Sequence, residues 1–384
     1  MQRSDILIVG GGPTGTALAV ALAQAGRQPL VVDARPADAA RNDKRILALS
    51  HGSQQILERL GVWREIAATP IRTIHVSQQG GFGRTLLHAA DYGVPALGYV
   101  AAAASVAAAL TERLAALGLA IRHECEVTNL APGADDVLAS HGGADGAPLS
   151  ARLVALAEGA ISADDDAAVS SRDYRQHAVI CTASPAAAHG GIAYERFTPQ
   201  GPLAMLPFGR DYAVVFTAPA DQSDALLALD DAAFLGELQR CIGSRVRLVA
   251  ASARARYPLL LRYRRDPVGR RTVWLGNAAQ TLHPVAGQGF NLALRDVWDL
   301  ADTLAGAGPA DDPGAAALLE RYARSRRLDR IGAIGFTDTL IRVFGNDFSP
   351  WRNARGSGLA ALDLLPPLKH FVAKRMMFGA RAWP

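Results

Sequence analysis

Three glycines near the N-terminus, Gly10, Gly12 and Gly15, have the G-x-G-x-x-G spacing of a phosphate-binding turn. The first allows a tight turn, the second keeps side-chain atoms out of the space a pyrophosphate needs, and the third lets a helix pack closely on the preceding strand. Asp33 follows at the end of the next apolar run, where a carboxylate accepts hydrogen bonds from both ribose hydroxyls. The chemistry this supports is dinucleotide binding, with NAD and FAD both open. A second concentration of chemistry is LGNAAQTLHPVAGQGFNLALRD, residues 275–296, in which amides, a His-Pro pair and several glycines stand where an apolar strand hands over to a helix. Glycine loses more conformational freedom on folding than any other residue, so such a segment implies that something binds there. His283 is the titratable group of this loop and a candidate acid or base; a structural histidine bonded to backbone is the competing reading.

The elements that must position these groups are legible around them. DILIVGGGPTGTALAVALAQAGRQPLVVDARP, residues 5–36, is an apolar strand, a glycine turn, a helix and a second apolar strand, so the helix N-terminus that begins at Pro13 and Thr14 faces the phosphates. Ala34 and Arg35 flank the ribose-binding acid. No second G-x-G-x-x-G follows a strand, which leaves one dinucleotide fold. A plain NAD-dependent dehydrogenase needs only this motif, whereas a flavoprotein needs a second, distant segment for the ribityl chain and ring, and residues 275–296 are such a segment. Alternating apolar residues at 73–79, 84–90, 203–209 and 211–218 predict an antiparallel sheet, and the alanine-rich run at 101–110 predicts a helix.

Composition excludes several classes. At 384 residues, nearly half apolar, the chain is globular and long enough for two interleaved domains. Residues 321–384 hold 12 Lys plus Arg against 4 Asp, so the basic character is local, and without aromatic interleaving it does not indicate nucleic acid. Cys125, Cys181 and Cys241 are isolated, with no metal-ligand spacing; no metal site is expected, and a reducing cytosol fits. No signal peptide and no apolar run of membrane-spanning length are read from the sequence, which predicts a soluble or peripheral protein.

The ordered set GGGPTG, KRILALS (44–50), YERFTPQGPLAMLPFG (194–209) and GNAAQTLHPVAGQGFNLALRD resembles the flavin-dependent aromatic hydroxylases, in particular their ubiquinone-biosynthesis branch. The resemblance implies an α/β fold: a Rossmann-like FAD-binding domain, an inserted, mostly antiparallel β-sheet substrate domain and a C-terminal helical segment. The expected division is 1–72, 101–185 and 268–340 for FAD, 73–100 and 186–267 for substrate, and 341–384 for a basic helical tail. The activity implied is hydroxylation of the ring of a polyprenyl phenol, with O2 added at the flavin C4a position and NADH or NADPH as electron donor. In that family the Gly10–Gly12–Gly15 turn and Asp33 hold the adenosine diphosphate half of FAD, and Arg45 lies along the cofactor. Gly276 and Asn277 stand where most relatives carry the Gly-Asp that binds the ribityl hydroxyls. Pro284, Gly287, Gln288, Gly289, Phe290 and Asn291 lie against the ring. Tyr194, Arg196, Pro207, Phe208 and His283 are the expected substrate-pocket residues.

Departures from the family are visible. Glu158 replaces the usual aspartate of Ala-Asp-Gly, an acidic stretch ADDDAAV follows where relatives commonly show an arginine, and the 101–110 helix lacks the arginine or glutamine that many relatives place near the flavin. They motivate a further alternative, a non-catalytic member serving as scaffold in a complex with other ubiquinone-biosynthesis proteins. The expected location is the cytoplasm, at the inner face of the cell membrane. The tail offers a contact for that surface: Leu368, Phe371, Val372 and Met376 are read as one apolar helical face, with Lys369, Lys374, Arg375 and Arg381 supplying charge for anionic lipid. The competing reading docks the same face on the cofactor domain.

Overall fold

The strand Gln2–Val9 carries the unbroken apolar run ILIV because both of its sheet faces are covered. Parallel neighbours flank it, Leu149–Leu156 on one side and Leu30–Val32 on the other, with Thr272–Trp274 and Ile121–Arg122 completing a parallel core. Helix α1 (Pro13–Gln24) follows the first glycine turn. Its proline sits in the first turn, where no backbone donor is needed, and every residue from Gly15 to Leu22 is buried. The computed structural model describes residues 2–142, 146–161, 168–284, 287–308, 311–344 and 349–382, with side chains except at 344, 349–353 and 381–382. The ADDDAAV stretch therefore lies largely outside the described residues, as do the middle of the 284–287 turn and the side chain of Arg381.

Helix α2 (His51–Arg59) is capped by Ser50, whose hydroxyl accepts from the Ser53 amide. Helix α3 (Ala103–Ala116) starts two residues later than the alanine run suggests, because Gly98–Ala102 pairs as a strand with Ile46–Ser50 and Ala68–Ile71. The four alternating segments become the strands Thr73–Gln78, Arg84–His88, Gly201–Phe208 and Asp211–Pro219 of a nine-stranded sheet. One expected boundary moves. Val169–Pro185 pairs antiparallel with both Asp211–Pro219 and Ala255–Arg264, so this stretch belongs to the substrate sheet and not to the FAD-binding part. Helices α4 (Ala220–Ala228) and α5 (Asp231–Ile242) cover one end of that sheet, and Phe234, Leu238 and Ile242 of α5 pack on Tyr194, Met205 and Tyr212.

Helix α6 (Gln288–Ala305) and helix α7 (Ala316–Phe344) are joined by a buried ionic cluster that the sequence did not announce. Arg326 is 2 % exposed and reaches Asp296 at 2.8 Å, Asp299 at 2.9 Å and Asp329 at 2.8 Å. Arg295 also binds Asp329, at 2.6 Å, and Asp296 accepts from Gln280, whose own carbonyl oxygen accepts from Arg330. Ala380 donates its amide to Asp329, so the chain's last turn is tied to the same cluster.

Helices α8 (Ser349–Leu364) and α9 (Pro366–Phe378) complete the helical layer. The single apolar face expected for α9 is split in two. Val372 and Met376 turn inward with the buried Ala373 and Met377, while Leu368 and Phe371 stay exposed. Its charges are partly used within the fold: Lys369 pairs with Asp363 at 2.9 Å, and Arg375 donates to the Leu328 carbonyl of α7. No helix among the described residues is long and apolar enough to cross a membrane.

Candidate active site

A cleft of about 400 Å³ opens over the C-terminal end of the parallel sheet. Gly10, Gly12, Pro13 and Thr14 form one wall, Asp33, Ala34 and Arg35 a second, and Arg45, Glu158, Asn277 and Phe290 contribute from three further segments. Gly10 holds φ at +109°, and a Cβ there would stand 2.7 Å from the Ala157 carbonyl oxygen, so strand-to-strand approach requires glycine. A Cβ on Gly15 would overlap the Gly10 carbonyl oxygen; Gly15 lies beneath the cleft as the packing glycine of the motif. At Gly12 the outcome differs: an added Cβ meets only the Arg35 guanidinium, at 3.4 Å. The space above Gly12 is a cradle kept open at the start of α1, whose cap makes no side-chain hydrogen bond.

Asp33 is buried at the base of the cleft. It accepts from the Gly11 amide at 2.7 Å, from the Arg35 amide at 2.8 Å and from the Arg35 guanidinium at 3.0 and 2.8 Å. Burial opposes its charge, but the Arg35 hydrogen bonds and positive charge, with the Gly11 amide, outweigh this and hold the carboxyl below its usual value. It is therefore ionised at neutral pH, a carboxylate at the base of the cleft. Arg45 stands at the rim, paired with Asp43 at 2.6 Å. Asn277 donates its amide to the Gly159 carbonyl at 3.3 Å, joining the loops after two parallel strands. A carboxylate could not make that bond, which gives the Asp-to-Asn departure a physical reason. Gly276, at φ +56°, packs against Thr14 and Ala293 beside the cleft. Cys125, which the sequence shows only as an isolated thiol, also lines the cleft.

A second cavity of about 280 Å³ has Pro284, Gly287, Gln288 and Asn291 in its lining. Gly287 has φ +59°, and its added Cβ would come 2.7 Å from the Ala48 Cβ. Asn291, one turn into α6, is bonded on both sides of its amide. Its oxygen accepts from the Ser50 amide at 2.8 Å and the Ser53 hydroxyl at 2.7 Å, and its nitrogen donates to the Ala48 and Gly287 carbonyls at 2.9 and 2.7 Å. Asn291 thus staples the loop to the Ile46–Ser50 strand, while Pro284, Gly287 and Gln288 present the loop to the second cavity. Gly289 has nothing within 4 Å of an added Cβ.

The second cavity is strongly apolar. The sheet contributes Ile74, Val76, Leu206 and Val215, and the helical layer Phe336, Leu340, Leu359, Val372 and Met376. Several expected substrate residues lie elsewhere. Arg196 is on the opposite face of its strand, where its guanidinium donates to the Cys241 carbonyl at 2.6 Å and to Ser77 at 3.2 Å; strand alternation sends it to α5. Tyr194 touches the cavity wall, but its ring packs with Tyr212 in the core against α5. Pro207 and Phe208 lie past the cavity's edge, Phe208 packing with Ile71, Val100 and Ala193. His283 lines neither space: it is buried edge-to-face with Tyr174 at 5.5 Å, and burial pushes its pKa down to about 4, so it is neutral at neutral pH. The sheet position that does face the cavity with a titratable group is Glu195, which is not among the expected pocket residues.

A Rossmann-type cleft with an apolar cavity beside it is the arrangement of a flavoprotein with a separate substrate space. Residues 3–333 match the family described as FAD binding domain, and the chain belongs to it. The chain is 35 % identical to ubiquinone hydroxylase UbiL of Rhodospirillum rubrum, over 99 % of this chain and 91 % of that one. It is 31 % identical to the 3-demethoxyubiquinol 3-hydroxylase of Escherichia coli, over 97 % and 98 %. The solved structure of p-nitrophenol 4-monooxygenase PnpA from Pseudomonas putida shares the fold, with a TM-score of 0.78 at 18 % identity and coverage of 99 % and 100 %. The chain is a flavin-dependent aromatic hydroxylase, and FAD is its dinucleotide.

Proposed function

We propose that the protein hydroxylates the ring of a polyprenyl phenol in ubiquinone biosynthesis, using FAD, O2 and NADH or NADPH. The observation that carries the reading is the shape of the apolar space. The cavity begins at the 284–291 loop, and a smaller hollow of about 70 Å³ shares Gln288, Phe336, Val372 and Met376 with it and continues between α7 and α9 to the exposed Phe371. A ring held at the loop would leave its tail running out through this gap. The functions assigned to the Rhodospirillum and Escherichia relatives support the same substrate class.

Bound FAD supplies the electron transfer and oxygen activation. The open space at Gly12 would take the pyrophosphate, Asp33 the ribose and Asn277 the ribityl side, and the Asn291 hydrogen bonds would hold Gly287 in place for the ring. The apolar walls keep water from the reacting centre, which protects reactive oxygen from loss.

The outer faces of α7 to α9 fit a membrane surface at the tail's exit. Leu328 is 72 % and Leu364 77 % exposed, with Ile331, Leu365, Leu368 and Phe371 also outward, and Arg324, Arg327 and Lys374 exposed beside them. Apolar side chains entering the interface, with cations adding about 1 kcal/mol each near anionic lipid, suit reversible attachment. The full-length protein should float with vesicles containing anionic phospholipid and hydroxylate a farnesyl-tailed phenol embedded in them. The Leu364→Glu/Leu368→Glu variant, changed at two exposed residues that line neither space, should lose both properties while still hydroxylating the same phenol dispersed in detergent. Equal flotation and vesicle activity in the variant, or a wild-type chain that ignores the vesicles, contradicts this contact.

A further inference from the structure

Glu195 sits in the strand Ile192–Thr198 with its side chain on the cavity side of the nine-stranded sheet. The register places it in a cross-strand row: it pairs with Val76 on one side and Ala204 on the other, and Ala204 pairs with Val215. All four line the cavity, so the cross-strand neighbours of the carboxyl group are aliphatic, and along its own strand Ala193 and Phe197 share the cavity face. Its Oε1 is fully buried, and no described residue donates a hydrogen bond to it. Among the described residues no arginine, lysine or histidine lines the cavity, and Tyr194 is the other titratable group there, with its phenol ring packed toward α5. The remaining polar lining groups are Ser50, Thr85, Gln288 and Asn291. Ser50 and Asn291 bond each other's segments, and Thr85 donates to the Leu359 carbonyl. A buried carboxyl oxygen without a partner is costly, and no described residue uses Oε1, while Oε2 is not buried in the same way.

A phenol entering this cavity brings what the site lacks, a single O–H donor on an otherwise apolar body. We propose that Glu195 is the substrate-binding acceptor and proton acceptor of the reaction: its carboxylate receives the hydrogen bond of the ring hydroxyl and takes that proton as the ring is oxygenated. The O–H bond breaks, its electron pair stays on the phenolate oxygen and enriches the ring, and Glu195 becomes a neutral carboxyl group. When the hydroxylated ring regains aromaticity, the hydrogen displaced from the ring carbon leaves as a proton to solvent, and Glu195 returns its own proton to the phenolate oxygen. The oxygen atom comes from O2 through the flavin chemistry of the established class. The environment suits the role. Burial pushes the carboxyl pKa up to about 7, so the group changes protonation near neutrality and is basic above it.

The inference rests on the phenol reading, and the test separates the two. Wild-type and Glu195→Gln and Glu195→Leu proteins, each loaded with FAD, are compared with 2-farnesylphenol and its methyl ether in detergent. Binding is read from the flavin absorbance change and turnover from product. Wild type should bind the phenol at least about 10-fold more tightly than the ether, the effect of one hydrogen bond to a charged group, and Glu195→Leu should bind both alike. Glu195→Gln, which keeps the shape and an acceptor oxygen, should lose about 100-fold or more in kcat. The wild-type kcat/KM should rise with pH to a plateau above about 7, and the Gln variant should lack that limb. A Gln variant with kcat within about 3-fold of wild type and an unchanged pH profile overturns the role of Glu195 while leaving the phenol reading intact. A wild-type protein that binds neither ligand and hydroxylates no phenol overturns both.

Discussion

Gly12→Val should yield a folded protein with almost no flavin, its FAD content falling from about one per chain to below about a tenth of that, because the branched side chain fills the pyrophosphate's place. Folding should survive because an added Cβ meets only the Arg35 guanidinium, at 3.4 Å, and no backbone. The neighbouring motif glycines make the contrast: Gly15→Ala drives a methyl group into the Gly10 carbonyl, and Gly10→Ala combines a φ of +109° with a 2.7 Å approach to Ala157, so both should fail to fold. Asp33→Ala should fall between, since it deletes hydrogen bonds worth about 1.5–3 kcal/mol without obstructing the cleft. Absorbance at flavin wavelengths, set against protein concentration and circular dichroism, reads all four variants. Stoichiometric flavin in a folded Gly12→Val protein would refute the assignment of the cleft.

Arg326→Met should lower the free energy of unfolding by about 3–5 kcal/mol, since a methionine fills much of the volume but leaves buried carboxylates without their central cation. Asp296 and Asp329 are each nearly inaccessible, and Arg326 is the residue that touches both. The pH dependence has a defined sign. Burial works against the Asp329 charge, but the positive charges of Arg295 and Arg326, their hydrogen bonds and the Ala380 amide carry its pKa down to about 2. A depressed carboxylate pKa contributes stability that is present above the unfolded value of about 4 and lost as pH falls toward 2. Urea unfolding followed from pH 7 to pH 3 should show that acid loss in the wild type, and a shallower one in Arg326→Met, where Asp329 titrates closer to its unfolded value. A variant as stable as wild type would mean that the cluster contributes no net stabilisation.

What the sequence made legible follows from how local each constraint is. The glycine turn, Asp33 and the 284–291 loop are readable because backbone geometry dictates residue type within a few positions, as at Gly10, Gly15 and Gly287. The strands of the substrate sheet are readable from period-two alternation, but the face each residue takes is not. The Ile192–Thr198 strand is covered on both sides, by α5 and by the cavity, so polarity could not decide that Arg196 goes to one and Glu195 to the other. The ion cluster was invisible for a different reason: Arg326 and Asp329 are near in sequence, but Arg295, Asp296 and Asp299 lie one helix away. On α9 the helical period was correct, yet the cavity beneath it divides one apolar face into Val372 and Met376 inside and Phe371 outside.

The most direct measurement is isotopic. Purified FAD-loaded protein, 2-farnesylphenol in detergent and NADH or NADPH are incubated under 18O2, and the product is analysed by mass spectrometry. One hydroxyl group should be added per molecule, carrying 18O, with one nicotinamide oxidised per hydroxyl when coupling is tight. Nicotinamide oxidation without labelled product, or a product whose new oxygen derives from water, contradicts the account.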